Sequence, residues 1–347
     1  MRRTHRGVVV GVVAAIAIVA LGVYVVGNGR GDVPPLAGNG SASPSTPARS
    51  SLLALQVNGG PAPLLAVIGV PSEGEPFFMP LSTELTVVMP GQGETPAAGV
   101  AALPGDSMRV ALSNMAGIWI EHFAVLSLRD LGASVDAGGG LAVDLPSGYQ
   151  TTTEVLGPGE LTMSGSQVKA FLAGAADDFG VRWEITLAAM LADPPPELVT
   201  SGGVETDDAE AVNAMVTGAA GAEVLDMPTT RVNATLVLPE YPTLDGLLSE
   251  RLGSSVPVPA IVQNGSGEPG VGEAVAVRII PAGFRVVLSL NATRFDTVRT
   301  DVLANGPDHE QEARTIRKAL GIGRVSVWAV PSNVGDITIV VGKDFTA

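Results

Sequence analysis

Cysteine is absent from the 347 residues. That excludes disulfides, thiol nucleophiles and zinc sites with thiolate ligands. Basic residues are scarce: 20 Lys and Arg stand against 35 Asp and Glu, a formal net charge of −15. Three of the arginines (Arg2, Arg3, Arg6) fall in the first six residues, and setting them aside leaves 17 basic against 35 acidic groups. Without clustered Lys and Arg there is no electrostatic footprint for a phosphate backbone, so nucleic acid is not a partner. Nor does such a surface hug anionic lipid. An acidic exported domain stays soluble by self-repulsion. The sequence shows no Ser-His-Asp order and no metal-ligand cluster, so no catalytic residue, metal site or cofactor is assigned from the residues themselves.

Charge is missing altogether from residues 7–26, where Tyr24 holds the only polar side-chain group. A helix of that length covers about 30 Å, the hydrocarbon thickness of a bilayer, and it has no polar stripe for a soluble surface. Arg2, Arg3, His5 and Arg6 precede it, whereas Arg30 and Asp32 cancel behind it. The positive side stays in the cytoplasm. The expectation is a single-pass protein of the cell membrane, with residues 1–6 a cytoplasmic tail, 7–26 a transmembrane helix and the rest extracytoplasmic. The competing reading is a cleaved signal peptide. Its apolar region is usually ~7–15 residues long and ends in a small-x-small site. This segment is longer, and Gly27-Asn28-Gly29-Arg30 makes a poor site, which favours the retained anchor.

Residues 27–50 are rich in Gly, Pro, Ser and Asn and form a flexible linker. An Arg30-Gly31-Asp32 triplet in such a linker is a chance match. Short apolar runs at 52–57, 64–70, 77–79 and 85–89 predict strands. The last two form a hairpin-like unit ended by Pro90-Gly91. Asp106-Ser107 predicts the N-cap of a helix carrying Met108, Val110, Ala111 and Met115. Residues 118–120 and 123–126 resume β character, 129–137 is helical up to three glycines, and 141–145 is a strand closed by Pro146. Ser164 or Ser166 caps a helix through Phe171 and Leu172. Another covers 182–191, with Trp183, Leu187 and Leu191 at helical spacing. Asp207-Asp208 opens the next; 232–238 is a strand, and 244–252 a helix with Gly253 as C-cap. The mixture predicts an α/β (α+β) domain over 51–253. A Pro- and Ser-rich joint begins at Ser254. Residues 254–347 then order their elements β-α-β-β-α-β, with an extra strand at 325–328. That order predicts a small two-layer sandwich with helices on one face.

Residues 118–146 resemble the LytR–CpsA–Psr domain of exported cell-envelope proteins. The resemblance is carried by Ile118-Trp119-Ile120-Glu121-His122-Phe123, by Leu131-Gly132 through Val135-Asp136-Ala137, by glycines 138–140, and by Val143-Asp144-Leu145-Pro146. Leu161-Thr162 through Gly165-x-Gln167, then Asp178-Phe179-Gly180, are similar to a second family block. Residues 258–346 resemble the LytR-type C-terminal domain often attached to such proteins. Its marks are the 264–270 loop, Ala282-Gly283-Phe284 and Gly342-Lys343-Asp344-Phe345. The resemblance implies a mixed-sheet domain with flanking helices. It also implies enzymes that move undecaprenyl-pyrophosphate-linked glycopolymers onto peptidoglycan, with an arginine cluster and an aspartate-held magnesium gripping the diphosphate. Such a ligand needs forked guanidinium groups or a divalent cation as its bond breaks.

The chain departs from the family at those positions. The "P-R-D-T" block falls on Pro80-Leu81-Ser82-Thr83, and the "R-S-D-T" metal block falls near residues 61–64, with neither charge. The paired arginines fall on Ala173 and Ala175, and a further one on Val181. One lost arginine at such a site costs about 10²-fold or more. The expectation is therefore a non-catalytic binding, scaffolding or regulatory protein of the cell envelope. Its partners are a polyprenyl-linked glycopolymer, peptidoglycan or envelope proteins. The alternative is a glycopolymer phosphotransferase with substituted residues, and only then with Mg2+. The candidate ligand-binding residues are Arg182 and Asp178 beside the vanished cluster, and Asn264, Gly265, Gly267 and Gly270 in a strand-to-helix loop able to present backbone N–H groups. Each also has a plain structural reading: a charged helix start, and a tight turn whose Glu268 repels phosphate. His122 is a general acid or base, or a structural histidine. His309 belongs to a helix first turn. Arg294, Phe295 and Arg299 form a patch suited to stacking on sugars, or a solvated loop.

Overall fold

The computed structural model describes residues 50–346, apart from 61, 175–177, 200–203 and 330. The apolar segment 7–26 and the linker lie outside the described residues. Among the described ones, no helix is long and apolar enough to cross a membrane.

The larger sheet is seeded by two apolar-rich runs buried at nearly every position, so both faces of each strand are covered. These are β1 (Ser51–Asn58) and β2 (Leu64–Val70), paired antiparallel with Leu55 opposite Ala66. β3 (Phe77–Leu81) adds to β2. β4 (Thr86–Met89) and β5 (Gly93–Pro96) form a hairpin of their own, so residues 77–79 and 85–89 do not pair with each other.

α1 (Gly105–Ala116) follows. Asp106-Ser107 does not cap it; the N-cap is Pro104, without a side-chain bond. The Gly105 N–H instead donates to Glu205 Oε1 at 2.7 Å. A Cβ on Gly105 would overlap the Phe123 ring, so glycine lets the helix begin against the sheet. Residues 118–120 are not a strand; the Ile120 N–H is taken by Ser113 Oγ at 3.0 Å. β6 (His122–Ser127) then enters the sheet parallel to β1.

Next come α2 (Leu128–Ala137), the hairpin of β7 (Leu141–Leu145) and β8 (Gly159–Met163), α3 (Gly165–Leu172) and α4 (Phe179–Ala192). They are followed by β9 (Glu205–Thr206), α5 (Ala209–Gly218) and β10 (Glu223–Val224). The expected strand at 232–238 divides: β11 (Thr229–Arg231) and β12 (Val237–Pro239) pair as a hairpin whose loop holds Val232. α6 (Tyr241–Leu252) ends at Gly253, left-handed at φ 63°. The sheet order is β9-β6-β1-β2-β3-β10, mixed in direction. Alternation along β1 explains its two cores. Leu53, Leu55 and Val57 pack with α2, α3, α4 and α5, while Leu52 and Ala54 pack with α1 and α6 on the other face.

The second sheet is formed by β13 (Val258–Asn264), β14 (Phe284–Asn291), β15 (Asp301–Asn305), β16 (Arg324–Trp328) and β17 (Ile337–Val341), in the order β14-β13-β17-β15-β16. α7 (Val271–Ile279) and α8 (Glu310–Leu320) share one core with the inward residues of these strands, among them Val262, Val286 and Ile339. Helices on one face is what the element order predicts, and the strand expected at 325–328 is present as β16.

The two sheets are joined through a buried seam. Arg285 of β14 is 3% exposed and forks onto Asp245 of α6 at 2.8 and 2.5 Å. It also donates to the carbonyls of Asn114 and Met115 and lies 4.3 Å from the Tyr241 ring centroid. β14 is an edge strand, and the Asn114 amide takes the place of a neighbour. It donates to Val286 O at 2.9 Å and accepts from Val286 N at 2.8 Å, while its second N–H reaches Val88 O.

Candidate functional site

Several residues that carry the family resemblance lie where two helices touch. Ser164 and Gln167 form a capping box at the start of α3. Gly165 donates to Asp136 Oδ1 at 2.7 Å, and a Cβ on it would overlap the Gly132 carbonyl. The small residues at 132 and 165 thus let α2 and α3 touch through their backbones, and Asp136 satisfies an orphan donor at the helix start.

Arg182, on α4, is 1% exposed. Nε and Nη2 fork onto Asp178 at 2.7 and 3.0 Å, Nη1 donates to Phe171 O at 2.9 Å, and Nη2 donates to Gln150 O at 2.9 Å. Its guanidinium lies 5.2 Å from the Tyr149 ring and 5.1 Å from Phe171. A Cβ on Gly174 would overlap Nη1, so glycine at 174 leaves room for this cation. The next residue, Trp183, donates to Leu65 O at 3.1 Å, beside the substituted block at 61–64. Arg182 and Asp178 are brought together as a buried bolt between α3, α4 and the short strand at 149–150, not as the surface of a helix start. Asp177 and Ala175 lie outside the described residues.

Arg231 and Arg109 do not join Arg182. Arg231 reaches the 80–83 region, where it pairs with Glu84 at 2.5 Å, both side chains more than half exposed. Arg109 pairs with Asp106 and Asp207 and lies over the Trp119 and Phe123 rings. Neither shares a hydrogen-bond partner with Arg182. His122 Nδ1 sits 3.2 Å from Asp207 Oδ2, whose other oxygen accepts the Phe123 N–H. His309 is the N-cap of α8, 3.4 Å from Asp336. Among the described residues, no three His, Asp or Glu side chains are grouped to hold a metal ion.

The four loop residues lie together, apart from Arg182. Asn264 Oδ1 accepts from Ser266 N, Ser266 Oγ and Gly267 N, and its Nδ2 donates to Glu268 O at 2.8 Å. Gly265 N donates to Val341 O and Gly265 O accepts from Thr297 N, with no room for a Cβ beside Thr297. Gly267 and Gly270 have φ of 84° and 77°, and Gly270 is the N-cap of α7. This loop lines a cavity of about 400 Å³. Its other walls are Gly91 and Gln92 from the β4–β5 turn and Ser289, Leu290 and Asn291 from the end of β14. Those five residues had no sequence signal as a site, since the turn meets β14 across about 200 positions, with Gly91 N donating to Ser289 Oγ at 2.9 Å.

Residues 257–345 match the family described as LytR cell envelope-related transcriptional attenuator. No curated protein matches the sequence. Among solved structures, B. subtilis TagV is similar at 14% identity and a TM-score of 0.50, over 60% of this chain and 98% of that one. TagT bound to LI-WTA is similar at 13% identity and a TM-score of 0.50, over 60% and 92%. The structure of TagT with bound octaprenyl pyrophosphate lipid, there called a LytR-CPS2A-psr family protein, has 13% identity and a TM-score of 0.48, over 61% and 94%. At such identities the likeness is one of fold. Residues 257–345 therefore form a LytR-type C-terminal domain, and the chain shares the fold of TagV and TagT.

Proposed function

We propose that this protein binds or scaffolds a polyprenyl-linked glycopolymer during cell-envelope assembly and does not catalyse its transfer. Residues 7–26 anchor it in the cell membrane, with the bulk of the chain outside, where peptidoglycan and envelope proteins are its other partners. The reading is supported by the fold shared with TagT, whose structure holds LI-WTA, and by the residues at the family's catalytic positions. One observation carries the non-catalytic part. Four donor contacts of Arg182 are committed to protein acceptors, and alanine or valine stands where the other arginines belong. Catalysis of diphosphate cleavage needs preorganised cations aimed at the developing charge. Magnesium enters only with the phosphotransferase alternative.

The test is retention without consumption. Full-length chain in detergent, mixed with a labelled polyprenyl-pyrophosphate-linked glycan, is expected to hold the label through gel filtration and to return it unchanged. Failure to hold it removes the binding reading. Transfer of the label to added peptidoglycan establishes the alternative.

A further inference from the structure

The cavity at the seam has a composition that selects its ligand. At about 400 Å³ it falls within the range of small-molecule sites. No Lys or Arg lines it, and Glu268 and Glu273 stand beside it at the α7 start. A phosphate or carboxylate ligand would find no cation in the lining and two acidic residues next to it in sequence, so the N-terminus of α7 is poorly matched to an anion.

The lining offers neutral polar groups from separate segments. Gln92 and Asn291 are exposed at the two sides, and among the described residues neither side-chain amide has a hydrogen-bond partner. Each has two donors and an acceptor to offer. Ser289 Oγ accepts from Gly91 and keeps its own proton to donate. Beyond the rim, the 292–297 segment folds back over the 264–270 loop through Ala292 N to Asn264 O and Thr297 N to Gly265 O. It places Phe295, 50% exposed, against Gly267, and Leu290 is 39% exposed nearby. Planar amides plus an exposed aromatic face fit a ring that bears hydroxyl and acetamido groups on its edges and C–H groups on its faces.

We infer that this cavity is a binding site for a neutral glycan segment, formed jointly by the β4–β5 turn and the LytR C-terminal domain. Gln92, Ser289 and Asn291 take the sugar's polar edge, and Phe295 covers its apolar face. The inference rests on the envelope-polymer reading for the choice of a glycan, but it places the sugar at a site separate from Arg182.

Isothermal titration of the full-length chain with chitotetraose tests it, with inorganic pyrophosphate as the anionic counterpart. Saturable chitotetraose binding is expected, weakened about tenfold by Asn291→Ala or Phe295→Ala and several-fold by Gln92→Ala. These side chains are exposed, so the melting temperature of each variant should stay at the wild-type value. Absence of saturable heat overturns the inference, as does binding that all three substitutions leave unchanged, or binding of pyrophosphate in place of the sugar. Chitotetraose carries no lipid or diphosphate, and retention of a polyprenyl pyrophosphate without its glycan reads the lipid site alone, so either result can fail while the other stands.

Discussion

Truncating Arg182 to alanine removes four hydrogen bonds at once; Gln150 O and the Asp178 carboxylate lose this donor, while Phe171 O keeps the Gly174 N–H. Asp178 is 37% exposed and can turn to water, which places the cost below that of a fully buried pair, at about 2–4 kcal/mol. Arg182→Lys should recover little of it, because an ammonium cannot fork onto Asp178 while reaching Phe171 O and Gln150 O. Thermal unfolding checks both. A residue held for a ligand would show the opposite: stability unchanged and binding lost. Gly165→Ala is a second test at this scale. Its Cβ would enter the Gly132 carbonyl, so α2 and α3 must part, at about 1–3 kcal/mol.

Among elements, β14 is the one whose environment is least local. Its Val286 amide and carbonyl are both served by Asn114. Asn114→Leu should expose that edge: hydrogen exchange at Val286 is expected to speed at least tenfold, with a stability loss of about 2–3 kcal/mol. Unchanged protection would show that β14 has another partner. The same strand marks the limit of what was legible in advance. Apolar runs revealed β1, β2, β3 and β13, and capping residues revealed α3 and α5, since burial period and capping are short-range. The start of α1 was misplaced because Glu205, a hundred positions away, supplies its acceptor. The partner of β4 was misassigned because β5 (Gly93-Glu94-Thr95-Pro96) has no apolar run to mark it. Arg182 and Asp178 stood out in the sequence only as ligand-binding candidates or a charged helix start, because the carbonyls of Phe171 and Gln150 that bury Arg182 leave no mark in the sequence. The role of Asn114 and the cavity walls at Gln92 and Asn291 arise only when the two sheets meet.

At the scale of the molecule, the Arg285–Asp245 pair holds the two sheets together. Asp245→Ala leaves a guanidinium that is 3% exposed without its carboxylate, an expected loss of about 3–5 kcal/mol. Calorimetry should then show the C-terminal sheet melting apart from the larger one; a single unshifted transition would assign the seam little weight. The proposed anchor makes its own prediction. The full chain should sediment with membranes, and a chain beginning at residue 50 should not. The account as a whole turns on whether a family fold without its arginine cluster still cleaves a diphosphate. The most direct measurement is inorganic phosphate released from geranylgeranyl pyrophosphate by the full-length chain with excess magnesium. Release no faster than in buffer is the predicted result, whereas saturable, magnesium-dependent release would contradict it.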